Sequence, residues 1–484
     1  MGKFKKHKYL ILIILIGLLA RIIKIDQSLW LDEAIGALAV KKFTYMGLIN
    51  DFMPIDNHSP LYYLLLKFST SLFGYSELGI RMLGVTSSLL SIFLTYKLTL
   101  VLSKNKNLSL FSALILSTSQ FNIYYSQEAR MYSITPLFCV ASVYFLTKFI
   151  EKPNINSWLG ISVSTSCLIF SDYVPIFFLP VYFFYPLFFK IKNIKKFYLT
   201  FITAFIPLLT LSAFWYPIFA KQLINGRLFL TILPEWKSIA GGASLKNLSQ
   251  VWTKFTGGRI TFESKKLYLL YTIIISSIYI PILFKSFSKA KKVIFLIICP
   301  VILTYLVSIF FPAFIYFRFS YLYPLFAIVL AYGLFEVKNE LSNLVFIVFI
   351  FANLLSLGIY YFDANQQRED WRSAISFVEE EHKPQSIVLF AFSDTPAPYQ
   401  WYEKRLLSGF GGTDSISANE EATKKKTKEL VKDSKVVYFF EYLRDLSDPS
   451  HIVENTLSEE GFIMVKSYSQ FKGGVGQIYQ WERI

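Results

Sequence analysis

Through about residue 361, apolar residues run in long unbroken stretches separated by short polar or basic breaks; beyond that point the runs shorten and alternate. An α-helix rises 1.5 Å per residue, so about 20 apolar residues cross the hydrocarbon core of a bilayer. Runs near that length predict eleven spans, at 9–25, 78–101, 107–124, 131–150, 157–172, 173–190, 197–217, 266–284, 293–311, 319–335 and 343–361. The apolar run Leu61–Gly74 contains Lys67 and is short for a crossing, which suits an interfacial helix.

From 362 to 484 the pattern predicts a small α/β domain. Ser386–Phe392 and Lys435–Phe440 read as strands, and Phe462–Tyr468 and Gly476–Trp481 as closing strands. Trp371–Glu381 and Asn419–Lys432 read as helices, the charges between Glu420 and Glu429 forming a solvated face. Gly473, Gly474 and Gly476 lack the strand-before, helix-after setting of a phosphate loop. The expected domains are therefore 1–361 and 362–484.

The lysines set the orientation. Lys190, Lys192, Lys195 and Lys196 form one cluster, and Lys285, Lys289, Lys291 and Lys292 another. Both fall on the cytoplasmic side if Leu61–Gly74 does not cross, and both turn outward if it does. The excess of basic residues in cytoplasmic loops favours the first threading. It places the N-terminus in the cytoplasm, residues 362–484 outside, and the chain in the plasma membrane. Lys3, Lys5, Lys6 and Lys8 precede the first apolar run as in a signal peptide, but Arg21 and Lys24 stand where small cleavage-site residues would be, so a retained helix is expected.

Composition agrees with this division. Of 484 residues 54% are hydrophobic and 17% charged, against about 25% charged in soluble domains. Residues 1–361 hold 34 Lys and Arg against 13 Asp and Glu, whereas 362–484 hold 15 against 20. The basic residues sit between apolar runs, so membrane orientation explains them and nucleic-acid binding does not. Cys139, Cys167 and Cys299 all lie within apolar runs and are expected to be buried packing residues. No His or Cys cluster has metal-ligand spacing, so no metal or other cofactor is expected, although paired acids could hold a divalent ion weakly.

The acids gather on one side. Asp26, Asp32, Glu33, Asp51, Asp56, Glu128, Asp172, Glu235 and Glu263 fall outside; Glu151, Glu336 and Glu340 fall inside; Glu77 marks the outer start of its helix, one turn before Arg81. Acids at one interface suit chemistry there better than a proton relay, which needs ionisable groups at mid-depth. In the first outer loop, Trp30 precedes Asp32 and Glu33. Successive residues do not share a helix face, so one acid can take a proton from an attacking hydroxyl while the other binds or positions; equally, the pair can open an interfacial helix. His58 ends the same loop, as a substrate ligand or a cap for the helix begun by Pro60. Glu128 and Arg130 share the second outer loop with Tyr124, Tyr125 and Tyr132, and Arg318 stands alone among aromatics in Tyr316–Phe319. Arg stays charged in a low dielectric and matches phosphate geometry, so Arg130 and Arg318 are candidate anion holders; an ion pair within the loop and a snorkelling side chain are the alternatives.

Four motifs in fixed order carry a family resemblance: Leu-Asp-Glu-Ala (31–34), His-Ser-Pro-Leu-Tyr-Tyr (58–63), Ser-Glu-Leu-Gly-Ile-Arg (76–81) and Ser-Gln-Glu-Ala-Arg-Met-Tyr (126–132). Arg318 with Pro324, and Asp370-Trp371-Arg372, add to them. The set resembles the protein mannosyltransferase-like branch of the GT-C glycosyltransferases, glycosyltransferase family 39, and is also similar to the lipid A aminoarabinose transferases. The resemblance covers about residues 1–380. It implies a polytopic GT-C fold and a polyprenyl-phosphate-linked sugar as donor, taken from the outer leaflet. It further implies that Asp32 is the base of an inverting transfer and Glu33 its catalytic partner, that Glu33 and His58 position the acceptor or the base, that Arg130 and Arg318 stabilise the leaving lipid phosphate, and that His58 and Glu128 bind substrate. Two departures stand out: Glu128 where the aminoarabinose enzymes have Asp, and His-Ser-Pro where relatives often have His-Pro-Pro. The acceptor is open between a protein, a glycolipid and an envelope polymer. The rival class is a transporter or lipid-linked sugar flippase, which would need polar residues at mid-membrane and two related halves; no internal repeat is visible.

Overall fold

The computed structural model describes residues 8–233, 240–337, 341–404, 406–471 and 473–484, with 341 and 342 described by backbone only. Lys3, Lys5, Lys6, Glu235 and Glu340 lie outside the described residues. The chain divides into two compact units. One comprises residues 1–25 and 43–362; the other joins residues 26–42 to 363–484.

The first unit is helical. Six of its helical segments among the described residues are long and apolar enough to cross a membrane: Glu77–Ser103, Met131–Glu151, Ile194–Ile232, Lys265–Val307, Tyr316–Phe335 and Asn343–Phe362. The expected span 107–124 is two pieces, Lys106–Thr118 and Gln120–Ser126, because Ser119 leaves helical geometry and caps the second piece, its hydroxyl accepting the Asn122 amide. Where 173–190 was expected, the chain forms a shorter apolar helical stretch, Val174–Phe188, in which the α-helix Phe178–Phe184 is flanked by tighter turns that begin near Pro175 and Pro186. The run expected at Leu61–Gly74 is a 14-residue helix, Pro60–Phe73. Cys139 is buried, but Cys167 and Cys299 are only half-buried and line apolar grooves; a thiol on an apolar helix face has no need of burial when that face meets lipid.

Small residues let the helices approach. Along Glu77–Ser103 the buried face carries Gly84, Ser87, Ser88, Ser91, Thr95 and Thr99. A Cβ on Gly84 would lie 2.6 Å from the Ser126 carbonyl oxygen, so the glycine lets the loop after Ser126 sit against this helix. Arg21 ties the bundle together. Its five donor N–H groups reach the Ser88 hydroxyl, the Asn122 side-chain oxygen and the carbonyls of Gly17, Leu116 and Ser117. A buried guanidinium with every donor used is tolerated where an unsatisfied one would not be.

Two helices and a lysine-bearing turn were expected between 266 and 311; the chain is instead helical throughout Lys265–Val307. Lys285–Lys292 contains no residue that stops a helix. This helix is not straight. The Trp252 indole donates to the Ser276 hydroxyl, and the amide of Ala243, nine residues before Trp252, donates to the Ser308 carbonyl. On a straight helix Ser276 and Ser308 would be about 48 Å apart, whereas nine residues of helix span only about 14 Å. The helix therefore bends back, with Pro281 and Pro300 inside it. An apolar groove of about 520 Å³ is lined by both arms, by Ile280 and Phe284 on one and Ile298 and Val301 on the other.

The second unit holds a five-stranded sheet: β1 Ser386–Phe390, β2 Gly409–Gly411, β3 Val436–Phe440, β4 Phe462–Tyr468 and β5 Ile478–Arg483. Their order is β2-β1-β3-β5-β4; β2, β1 and β3 are parallel, and β5 runs antiparallel to β3 and β4. The central strands are apolar on both faces and covered on both. Helix Trp371–Glu381 presents Trp371, Ala374, Ile375 and Val378 to Val388, Phe390, Val436, Tyr438 and Phe440. On the other face Val431, Val453 and Leu457 pack on Leu389, Val437 and Phe439. Trp371 stacks on Phe440 and meets Tyr442 edge-on, and Leu31 of the early segment packs against this same core.

Candidate active site

The early segment of the second unit bears the acid pair. Asp32 and Glu33 occupy the first turn of helix Leu31–Lys42, where carboxylates suit the positive end of the helix. Polar contacts tie this segment to residues 366–402. The Arg368 amide donates to the Gln27 side chain (3.0 Å), the Arg372 amide to the Ser28 hydroxyl (3.1 Å), and the Arg372 guanidinium to the Asp26 carbonyl (2.8 Å). The Leu29 amide donates to the Tyr402 hydroxyl (2.8 Å). Glu33 turns inward and pairs with Arg368, Oε2 to Nε 3.5 Å, both side chains almost fully buried. Asp32, one residue earlier and half-buried, sits close enough for its charge to act on Glu369 and Tyr442. Glu369 accepts the Trp371 indole N–H at 2.7 Å, the Tyr442 hydroxyl at 3.1 Å and the Leu31 backbone amide. Burial pushes its carboxyl up to about 7 against those hydrogen bonds, and the Asp32 charge pushes the same way.

In the first unit, two loops meet. The His58 ring contacts Asp56 through Nδ1 (3.0 Å) and Arg130 through Nε2 (2.9 Å), and Arg130 Nη1 reaches the Tyr63 hydroxyl (3.5 Å). Gln222 fixes the loop before His58 by donating to the carbonyls of Met53, Asp56 and His58. Gln127 fixes the other by donating to the Arg21 and Ile23 carbonyls while accepting the Tyr360 hydroxyl. Burial pushes the Asp56 carboxyl up, but its contact with His58, the Arg130 charge and the Tyr63 hydroxyl outweigh that and hold it below the ordinary aspartate range. Asp172 completes the cluster: its carboxylate accepts the Val174 amide at 2.9 Å and feels the charges of Arg318 and Arg130. The structure thus brings His58, Arg130 and Arg318 around two carboxylates, Asp56 and Asp172, that sequence reasoning had only assigned to the outer side.

Glu128 belongs to a neighbouring group. It is buried, and its charge acts on Arg259 and Tyr125, as do Tyr124 and Tyr316. The Arg259 guanidinium lies 4.5 Å over the Tyr124 ring, and its amide donates to the Gln120 side chain. Lys254 donates to the Ile260 carbonyl at 2.6 Å; burial, aided by the Arg259 charge, pushes its ammonium down to about 7. Arg259 and Lys254 were missed by sequence reasoning. Their signal was a Gly-Gly-Arg turn at the end of an amphipathic helix, Leu245–Gly257. Among the described residues, no group of three or more His, Cys, Asp or Glu is arranged to hold a metal.

Residues 57–216, which include His58, Glu128, Arg130 and Asp172, match the family model described as dolichyl-phosphate-mannose-protein mannosyltransferase. Solved structures share the fold at low identity. The archaeal oligosaccharyltransferase AglB from Archaeoglobus fulgidus, determined with an inhibitory peptide and a dolichol-phosphate, superposes with a TM-score of 0.56 at 11% identity, over 97% of this chain and 74% of that one. ArnT from Cupriavidus metallidurans, bound to undecaprenyl phosphate, gives 0.56 at 9% identity, over 98% of both chains. The arabinofuranosyltransferase AftD from Mycobacteria gives 0.53 at 11%, over 98% of this chain but 40% of that one. A comparison with curated protein sequences finds no match. The chain therefore carries the fold of the GT-C glycosyltransferase superfamily, and over residues 57–216 the sequence signature of its protein mannosyltransferase branch.

Proposed function

We propose that this protein transfers a sugar, mannose or another hexose, from a polyprenyl-phosphate donor to an acceptor hydroxyl at the outer face of the plasma membrane, inverting the anomeric carbon. The acceptor hydroxyl gives its proton to the Asp32 carboxylate as its oxygen attacks the anomeric carbon. The bond from that carbon to the donor phosphate breaks, and its electron pair stays on the phosphate oxygen. Negative charge grows on the phosphate as this happens, and Arg130 and Arg318 stabilise it. His58 and Asp56 hold Arg130, Asp172 balances Arg318, and Glu128 binds substrate in concert with Arg259. Glu33 positions Asp32 through its pair with Arg368 and takes no part at the reacting atoms. The acceptor is a protein, a glycolipid or an envelope polymer, and the membrane lipid supplies the donor's surroundings.

The observation that supports this reading most is the Asp56–His58–Arg130 chain, which lies in the stretch matching the mannosyltransferase family. A cationic group oriented by a neutral ring and an acid is what an anionic headgroup requires. The test is transfer of radiolabelled sugar from polyprenyl-phosphate mannose, and from other hexose donors, by purified protein in lipid vesicles supplied with envelope fractions. Transfer by wild type and its loss in Asp32→Asn is expected. Absence of any labelled product from every donor would overturn the assignment.

A further inference from the structure

Among the acidic groups around the start of the helix that carries Asp32, Glu369 has no place in the reaction as written. Its carboxylate is held from three directions, by the Trp371 indole (2.7 Å), by the Tyr442 hydroxyl (3.1 Å and 3.2 Å to its two oxygens) and by the backbone amide of Leu31, the residue before Asp32. Trp371 and Tyr442 are themselves locked into the sheet core. Glu369 is thus a rigid acceptor presented to the first turn of the helix, with the Asp32 charge bearing on it. Of the neighbouring groups, Arg368 is paired with Glu33, Arg372 donates to the Asp26 carbonyl, Asp370 accepts the Ser373 amide, and the Tyr442 hydroxyl donates to Glu369 itself.

We propose that Glu369 is a second positioning residue for Asp32, beside Glu33: it fixes the helix start by accepting the Leu31 amide and sets a further carboxyl beside the base. The proposal rests on the assignment of Asp32 as base, and it gives the C-terminal unit a task, that of holding and tuning that base. Two carboxyls in one site do not ionise independently, because the first charge opposes the second. While Glu369 holds its proton, it adds no charge beside Asp32. When Glu369 ionises, a second negative charge stands at the start of the helix, where the proton of the acceptor hydroxyl is to be received. Burial places that transition near neutrality.

The experiment is a pair of pH titrations on full-length purified protein. In transfer assays, the wild-type kcat is expected to rise across a limb near pH 7. Glu369→Gln removes the limb and lowers kcat at pH 8 about tenfold, with the KM for polyprenyl-phosphate mannose unchanged. Tyr442→Phe, which removes one hydrogen bond to the carboxylate, shifts the limb upward by about half a unit. A Gln variant with the wild-type profile would overturn the proposal. Infrared difference spectroscopy of the protonated carboxyl band needs no turnover. Asp32→Asn is expected to move the Glu369 titration down by about one unit, and an unmoved titration overturns the proposal even if no sugar is transferred. Conversely, a coupled titration with no transfer from any donor would refute the glycosyltransferase assignment alone.

Discussion

Arg130 donates to Nε2 of His58, a residue 72 positions earlier in the chain, across 2.9 Å. A guanidinium has donors only, so Nε2 must accept and cannot carry a proton. The proton of the neutral ring then lies on Nδ1 and points at Asp56, 3.0 Å away. One contact thereby fixes the tautomer of His58, the direction of the Asp56 hydrogen bond and the orientation of Arg130.

Replacing His58 with Ala leaves Arg130 without its aligned acceptor. We expect the KM for the polyprenyl-phosphate donor to rise about tenfold, or ~1.4 kcal/mol, with a smaller change in kcat. Steady-state kinetics with varied donor would check this; an effect confined to kcat would mean that the ring acts on chemistry.

Arg318→Ala should lower kcat/KM about a hundredfold, as loss of a group stabilising transition-state charge does. Arg318→Lys should recover little of it, since a point charge does not reproduce a planar fork. Full recovery in the lysine variant would show that only net charge matters at this position.

Asp32→Asn should reduce kcat by about a thousandfold while donor binding, measured by equilibrium dialysis with a non-transferable analogue, stays as in wild type. Loss of binding instead would assign Asp32 to donor recognition.

The Glu33–Arg368 pair predicts an asymmetric stability pattern. Glu33→Ala leaves Arg368 buried without its partner and should cost about 3–5 kcal/mol, read as a lowered Tm; the double variant Glu33→Leu with Arg368→Met should regain most of it. Equal losses in the single and double variants would point to packing rather than charge.

The Glu369 carboxyl, raised to about 7 when folded from the ordinary glutamate value of 4.5, predicts a pH slope of stability. Between those values the folded chain binds more protons than the unfolded one. Its contribution is full below pH 4.5 and is lost as pH rises through 7, a change of about 3 kcal/mol at most. Glu369→Gln should flatten the slope of Tm against pH in that interval.

The sequence disclosed elements better than contacts. Helix Trp371–Glu381 and strand Phe462–Tyr468 have the predicted bounds, because each carries its own period and its own stops. Strand β2 was not foreseen: Gly-Phe-Gly is too short to alternate and has low strand propensity, and it pairs only because β1 lies beside it. The continuous helix Lys265–Val307 was missed because a lysine cluster reads as a turn, although lysine favours helix. Among the candidate site residues, Asp32, His58 and Arg130 stood out as polar groups in apolar or aromatic surroundings. Asp172, Arg259, Arg368 and Glu369 did not, for their significance comes from partners tens to hundreds of positions away, which no local pattern encodes.

The union of residues 26–42 with residues 363–484 sets an order of events during synthesis. Gln27 and the Arg368 amide that contacts it are 341 positions apart. A ribosome adding about 5–20 residues per second delivers the second partner roughly 20–70 s after the first. Until then the nascent segment bearing Asp32 has neither the buried counter-ion of Glu33 nor its anchoring hydrogen bonds, so the growing polypeptide keeps this segment unfinished while its long apolar helices are already made.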